Sequence, residues 1–132
     1  MTDTMTEPAV APGRWMAEFF SEADKLDLPL MMQWFAEDID LRIANSPPIV
    51  GRQAVEQAFA EFWSALGGMS HQVIELLVSD DDLRAAQMSI VTYTRKDGHA
   101  VSLPVASNIH RNRAGKLERL WIYIDINPLF AE

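Results

Sequence analysis

Few side chains in this 132-residue sequence can do chemistry, and their spacing limits what that chemistry is. Three histidines, His71, His99 and His110, are the groups that titrate near neutral pH. They are far apart, lack any metal-ligand spacing, and give no reason to expect a zinc site or a paired base. Asp80-Asp81-Asp82 has the charge for calcium but not the twelve-residue loop that binds it, so it reads as a solvated turn. With no cysteine, thiolate nucleophiles, disulfides and cysteine-held metals drop out. No metal and no cofactor is expected. A hydroxyl or amide held in an apolar interior is what remains: Ser107, Thr92, Thr94 and Asn45 are the candidates.

Which of these face inward depends on the elements that carry them. Trp15, Phe19 and Ala23 recur at spacings of four, with Phe20 beside them, and predict a helix over 14–25. Asp27 caps a second short helix with Pro29 in its first turn. Ile39, Leu41 and Ile43 alternate with Asp40 and Arg42 as a half-buried strand does. Asn45-Ser46-Pro47-Pro48 breaks it, and Asn45 stands where that strand ends. A third helix is expected over 52–66, with Val55, Phe59, Phe62 and Leu66 as its stripe and Gly67-Gly68 closing it. Trp15, Trp34 and Trp63 read as core or pocket wall.

From Ser70 the pattern is strand and turn. Strands are expected over about 71–78, 83–95, 100–111 and 116–126, with Asp97-Gly98 as a hairpin centre. On the third of these, Val101, Leu103, Val105, Ser107 and Ile109 share one face. Leu120, Ile122, Ile124 and Ile126 form the matching file on the last. Those files should meet the helices, with Ser107 the polar member at an otherwise aliphatic wall. The other face carries Trp121 and Tyr123 among polar groups, including Asp125 and His110. Large aromatics on an outward face suggest a partner surface, most simply a homodimer. Asp40 and Arg42 read as an exposed ion pair, and Arg111, Arg113 and Lys116 as solvated hairpin charges.

The net charge of −8 argues against a nucleic-acid surface. No apolar run is long enough for a membrane span, and residues 1–13 have no signal-peptide character. Those thirteen residues, with three Thr, two Pro and one Gly, are expected to be a disordered tail ahead of a single domain over 14–132. A cytoplasmic location is the default expectation.

One stretch carries a family resemblance. Phe35-Ala36-Glu37-Asp38, then Pro47-Pro48, Gly51-Arg52 and Ala54-Val55-Glu56-Gln57, resemble the nuclear transport factor 2-like superfamily. The likeness is to its SnoaL-like, ketosteroid isomerase and limonene epoxide hydrolase branches, and it extends over residues 14–127. It implies an α+β, cystatin-like cone of three N-terminal helices packed on a curved, mostly antiparallel sheet. It also implies an apolar interior pocket and frequent dimerisation. By position, that pocket takes in Phe19, Leu41, Ile43, Asn45, Trp63, Thr92, Val105, Ser107 and Ile122.

The same resemblance shows what is missing. The general-base Asp of ketosteroid isomerases falls at Ile43, and their oxyanion-hole Tyr and Asp fall at Phe19 and Ser107. The first-strand Tyr and Asn of limonene epoxide hydrolases fall at Leu41 and Ile43, and their last-strand Asp at Ile122. Residues 87–93 contain no Arg or Asp. A sheet carboxylate of the polyketide-cyclase kind is absent from both inward files. Two readings follow. One is a SnoaL-like protein binding a small, mostly apolar molecule, as a cofactor-free isomerase, lyase or hydrolase if it is an enzyme. The other is a non-catalytic dimerisation or ligand-carrier module whose pocket is only core. A cavity of about 300 Å³ or more with Ser107 at its wall would favour the first.

Overall fold

The computed structural model describes residues 11–131. Its elements are α1 (Arg14–Ala23), α2 (Leu28–Met32), β1 (Phe35–Ile43), β2 (Ile49–Val50), α3 (Arg52–Trp63), β3 (Leu66–Val78), β4 (Arg84–Arg95), β5 (Ala100–Arg111), β6 (Leu117–Tyr123) and α4 (Asn127–Phe130). Six strands form one sheet in the order β2-β1-β6-β5-β4-β3. All neighbours are antiparallel except β1 and β6, which run parallel, with Leu41 opposite Leu120 and Ile43 opposite Ile122. The sheet is therefore mixed, and two helices rather than three precede it. β1 and β6 are neighbours in the sheet although residues 44–116 separate them in the chain.

Local chemistry explains most of the boundaries. In α1, Trp15, Met16, Phe19, Phe20 and Ala23 make one buried stripe. Asp27 caps α2 by accepting the Leu30 N–H at 3.1 Å. Gly51, at φ 98°, turns the chain into α3 through a conformation that favours glycine. Arg52 then reaches back to donate to the Met32 carbonyl at 3.0 Å, joining α3 to α2. β5 spans the expected residues, and the Asp97-Gly98 turn before it is closed by Arg95 N–H donating to the His99 carbonyl at 2.8 Å.

Three expectations are corrected. First, α3 stops at Trp63, and its buried stripe is Val55, Phe59 and Trp63. Leu66, Gly67 and Gly68 belong to β3, because Leu66 pairs with Arg95 and Gly68 with Thr94 in the sheet. Strand pairing outweighs the helical spacing of Leu66. Second, β6 ends at Tyr123; Ile124 to Ile126 leave the sheet, and α4 follows with Leu129 fully buried. Third, Gly13, expected within the tail, packs against the rest of the fold. Residues 1–10 lie outside the described residues, but Gly13 is buried and its N–H donates to Asp82 Oδ1 at 2.8 Å.

The inward file of β5 holds as expected, since Leu103, Val105, Ser107 and Ile109 are all buried. On β4 the buried file is Ala85, Gln87, Ser89, Val91 and Tyr93. Thr92 and Thr94 therefore face outward, contrary to the expectation that they point into the interior. Thr92 Oγ1 lies 2.8 Å from Ser102 Oγ across the outer face. Period-two geometry allows no compromise here: with Val91 and Tyr93 inside, Thr92 must be outside.

On that outer face Trp121 is held more firmly than an isolated aromatic would be. Arg42 and Arg119 each place a guanidinium 4.0 Å from the centre of its ring. Its indole N–H donates to Asp40 at 3.2 Å, and Asp40 also takes two 3.1 Å bonds from Arg42. The Arg42 guanidinium holds the Asp40 carboxyl below the usual carboxylate range. The expected Asp40–Arg42 pair is thus one side of a four-residue cluster.

Candidate functional site

The helices and the inner sheet face enclose a small cavity. Phe19, Phe20 and Ala23 of α1, Met31 of α2 and Phe59, Phe62 and Trp63 of α3 line one side. Met69 and His71 of β3, Tyr93 of β4, Val105 and Ser107 of β5, and Leu120 and Ile122 of β6 line the other. Its volume is about 40 Å³, room for about three water molecules. Ser107 stands at the wall as expected, but the 300 Å³ expected for a ligand-sized pocket is not reached. Packed aromatic rings take up the space. Phe19 lies 5.1 Å from Phe20, 5.6 Å from Trp34 and 5.9 Å from Phe35 between ring centres.

Of the residues expected at the pocket, Phe19, Trp63, Val105, Ser107 and Ile122 are at this cavity. Four are not, and are corrected. Leu41 is fully buried in the core beside Leu120 and does not line the cavity. Ile43 lines a separate, open recess of about 420 Å³, with Ala58, Phe62, Ile126 and Phe130. Asn45 is exposed in the turn after β1 and touches neither space. Thr92 is on the outer face.

The chemical group that sequence reasoning missed is a pair. His71 Nδ1 lies 2.6 Å from Asp24 Oδ1, and the His71 backbone N–H donates to Asp24 Oδ2 at 3.0 Å. A carboxylate only accepts, so Nδ1 is the donor in this contact, and in the neutral ring the lone pair lies on Nε2. The carboxylate thereby sets both the tautomer and the ring orientation. Phe20 packs on the same ring at 4.5 Å between centres, and the His71 side chain is only 10% exposed. This arrangement can accept and return a proton at one defined nitrogen.

Asp24 sits at the C-terminal cap of α1, where a carboxylate opposes the helix dipole. That cost was the available signal in the sequence: an acid at a helix C-terminus needs a partner elsewhere. The partner lies 47 residues away.

At the cavity wall the Trp63 indole N–H is buried and lacks a partner among the described residues. Gln87 Nε2 and Ser89 Oγ, in the buried file of β4, also lack one. Gln87 and Ser107 are register partners on β4 and β5, in one transverse row with Ile122 and Ile43. An unpaired buried donor costs about 1–3 kcal/mol. Burial, and next the charge of Asp24, push the Tyr93 hydroxyl up to about 12. Because the folded value is raised from 10.0, the protonated phenol stabilises the fold fully below pH 10 and that contribution fades as pH climbs towards 12. The loss should amount to about 3 kcal/mol. Urea titrations at pH 9 and above should therefore show an alkaline decline that Tyr93→Phe lacks; an identical decline in the variant would rule out Tyr93 as its source.

Among the described residues no group of three or more His, Cys, Asp or Glu is placed to hold a metal ion. No helix of the described residues is long and apolar enough to cross a membrane.

Helices packed on one face of a curved mixed sheet, around a small apolar interior, define the nuclear transport factor 2-like class of α+β folds. Within it, the family model described as the SnoaL-like domain matches residues 16–120, and the chain belongs to that family. Solved structures agree on the fold. SalBIII, an epoxide hydrolase/cyclase-like enzyme in pyran ring formation of the polyether salinomycin, superposes with a TM-score of 0.75 at 15% identity, covering 88% of this chain and 92% of its own. RV0760c from Mycobacterium tuberculosis, solved in complex with estradiol-17β-hemisuccinate, gives 0.75 at 16% identity, covering 89% and 97%. A protein of unknown function from Burkholderia pseudomallei gives 0.74 at 15% identity, covering 92% and 96%. No curated protein sequence matches significantly.

Proposed function

We propose that this SnoaL-like protein binds a small, mostly apolar, oxygen-bearing molecule and moves a proton on it through His71. The observation that carries this reading is the Asp24–His71 pair at the wall of an otherwise apolar cavity. His71 Nε2 is the base, Asp24 orients it, and the Trp63 N–H and the Ser107 hydroxyl are donors for the oxygen on which charge develops. The base thus comes from β3 rather than from position Ile43, where the resemblance to ketosteroid isomerases puts it. Removal of a proton beside a carbonyl, or proton-assisted loss of a hydroxyl, is chemistry these groups can perform unaided. The corresponding reaction classes are those of cofactor-free isomerases, lyases and hydrolases. Two neighbours of the fold support the ligand class: one acts in ring formation on a polyether, and another holds a steroid ester.

The test is a panel of oxygenated hydrophobes, including a steroid enone, a monoterpene epoxide and a β-hydroxy ketone, assayed for turnover by wild type, His71→Gln and Asp24→Asn. Turnover of at least one compound is expected, with about a 10²- to 10⁴-fold loss in His71→Gln and a smaller loss in Asp24→Asn. Equal turnover by wild type and a folded His71→Gln would refute the role of His71.

The volume of the cavity, about 40 Å³, favours a second reading, in which the interior is only core and the protein is an assembly module. Its interface would be the outer sheet face, where Tyr123 is 56% and Ile74 62% exposed and both line one shallow depression. A homodimer through Trp121 and Tyr123 is part of both readings. Trp121→Asp should turn a dimer into a soluble monomer by light scattering; a dimer that persists would exclude this face. Failure of every compound to bind, with the dimer intact, would leave the assembly reading standing.

A further inference from the structure

Phe62, near the C-terminal end of α3, is the wall between two spaces. One side of it lines the enclosed cavity of about 40 Å³, and the other the open recess of about 420 Å³. Beside it, Ile122 lines the cavity and its register partner Ile43 lines the recess. Both spaces are mainly apolar, with different polar groups. The cavity has His71, Ser107 and the unpartnered Trp63 N–H in the interior, whereas the recess, walled by Ile43, Ile49, Ala58, Ile126 and Phe130, has Ser46 and Glu61 as its polar members. The recess alone has the volume of a small-molecule site.

Phe62 is only half-buried, and its ring leans edge-on against Tyr93 with centres 5.9 Å apart. A change of rotamer at Phe62 is the motion by which the two spaces would join. The far wall of the recess is better fixed. Leu129 anchors α4 in the core, and Arg95 donates to the carbonyls of Leu129 at 3.4 Å and Ala131 at 3.2 Å.

We infer that cavity and recess are two compartments of one binding site divided by Phe62, and that its ligand is an elongated, mostly apolar molecule with an oxygen function at one end. The oxygenated end meets His71, Ser107 and Trp63, and the apolar remainder passes Phe62 to lie in the recess. This deepens the proposed function and rests on it for the polar end alone. The reason is additive burial: a cavity of three waters' volume cannot desolvate a hydrophobe, whereas the recess can.

Straight-chain 2-alkanones from 2-heptanone to 2-undecanone, titrated by calorimetry, provide the probe. Wild-type affinity should rise about fourfold for each added methylene. Ala58→Phe and Ile126→Trp, which fill the recess from different elements, should flatten that slope and weaken the longest members most. Phe62→Ala should tighten the longer members. His71→Gln should weaken every member by a common factor and keep the slope. A wild-type slope retained in both folded filling variants, or affinity independent of chain length in wild type, overturns the two-compartment site. Flattening by the filling variants with no effect of His71→Gln would uphold the compartments and count against the proton-transfer reading instead.

Discussion

Phe19→Ala should lower the unfolding free energy by about 3–5 kcal/mol, the range for truncating a fully buried phenylalanine. Phe19 is 1% exposed, and its ring touches aromatic neighbours from α1, from β1 and from the α2–β1 link. Three ring contacts disappear with it, and α1 cannot close the gap alone. Its neighbours Met16, Phe20 and Ala23 are themselves fixed in the same stripe. The hole would join the existing cavity and be lined mainly by apolar groups, so it should accept a small aromatic such as benzene. Urea denaturation should show the loss, and saturating benzene should restore part of it. A loss below about 1 kcal/mol would mean that the interior repacks and that α1 is not a rigid wall of the site.

The second large effect is expected at a residue read from the sequence as part of a solvated turn. Asp82 accepts the Gly13 N–H at 2.8 Å and the Trp15 indole N–H at 3.0 Å through one oxygen. Its other oxygen takes Arg111 Nη2 at 3.0 Å, and its carbonyl takes Arg111 Nε at 2.9 Å. The Arg111 guanidinium lies 4.6 Å from the centre of the Trp15 ring. One aspartate thus fastens the start of α1 to the β3–β4 turn and to the end of β5. It also sits at φ 59°, a left-handed conformation that Asp adopts more readily than Ala. Asp82→Ala strands two buried donors and strains the turn, for a cost of about 2–4 kcal/mol. Asp82→Asn keeps an acceptor and the backbone preference, so about 1 kcal/mol is expected. Hydrogen exchange should show α1 amides losing protection first. Asp82→Ala within about 0.5 kcal/mol of wild type would remove the latch from the account. Because α1 carries Phe19, Phe20 and Asp24, this latch also positions the site.

What was legible in the sequence was local. Alternation set β5 and its inward file with Ser107. Asp27 marked the cap of α2, and Asp97-Gly98 the hairpin. Each is decided by the backbone preferences and near neighbours of a few residues. The 35–57 motif identified the superfamily. Where local signals conflicted with pairing, pairing won. Leu66 to Gly68 went to β3, because they pair with Thr94 and Arg95. The β4 file was unreadable because its polarity is inverted, with Gln87 and Ser89 inside and Met88 and Ile90 on the outer side.

The candidate site was decided by the tertiary structure. Ser107 could be picked out from its strand, but nothing near His71 in the chain announces Asp24, and nothing near Asp82 announces Gly13. Those partners meet because β3 crosses beneath the end of α1 and the β3–β4 turn meets its beginning. Contacts between residues 47 and 69 positions apart leave no period in a sequence. The sequence alone determined a SnoaL-like scaffold lacking the acids and bases expected from its relatives. Only packing placed a histidine and a carboxylate at 2.6 Å beside the cavity.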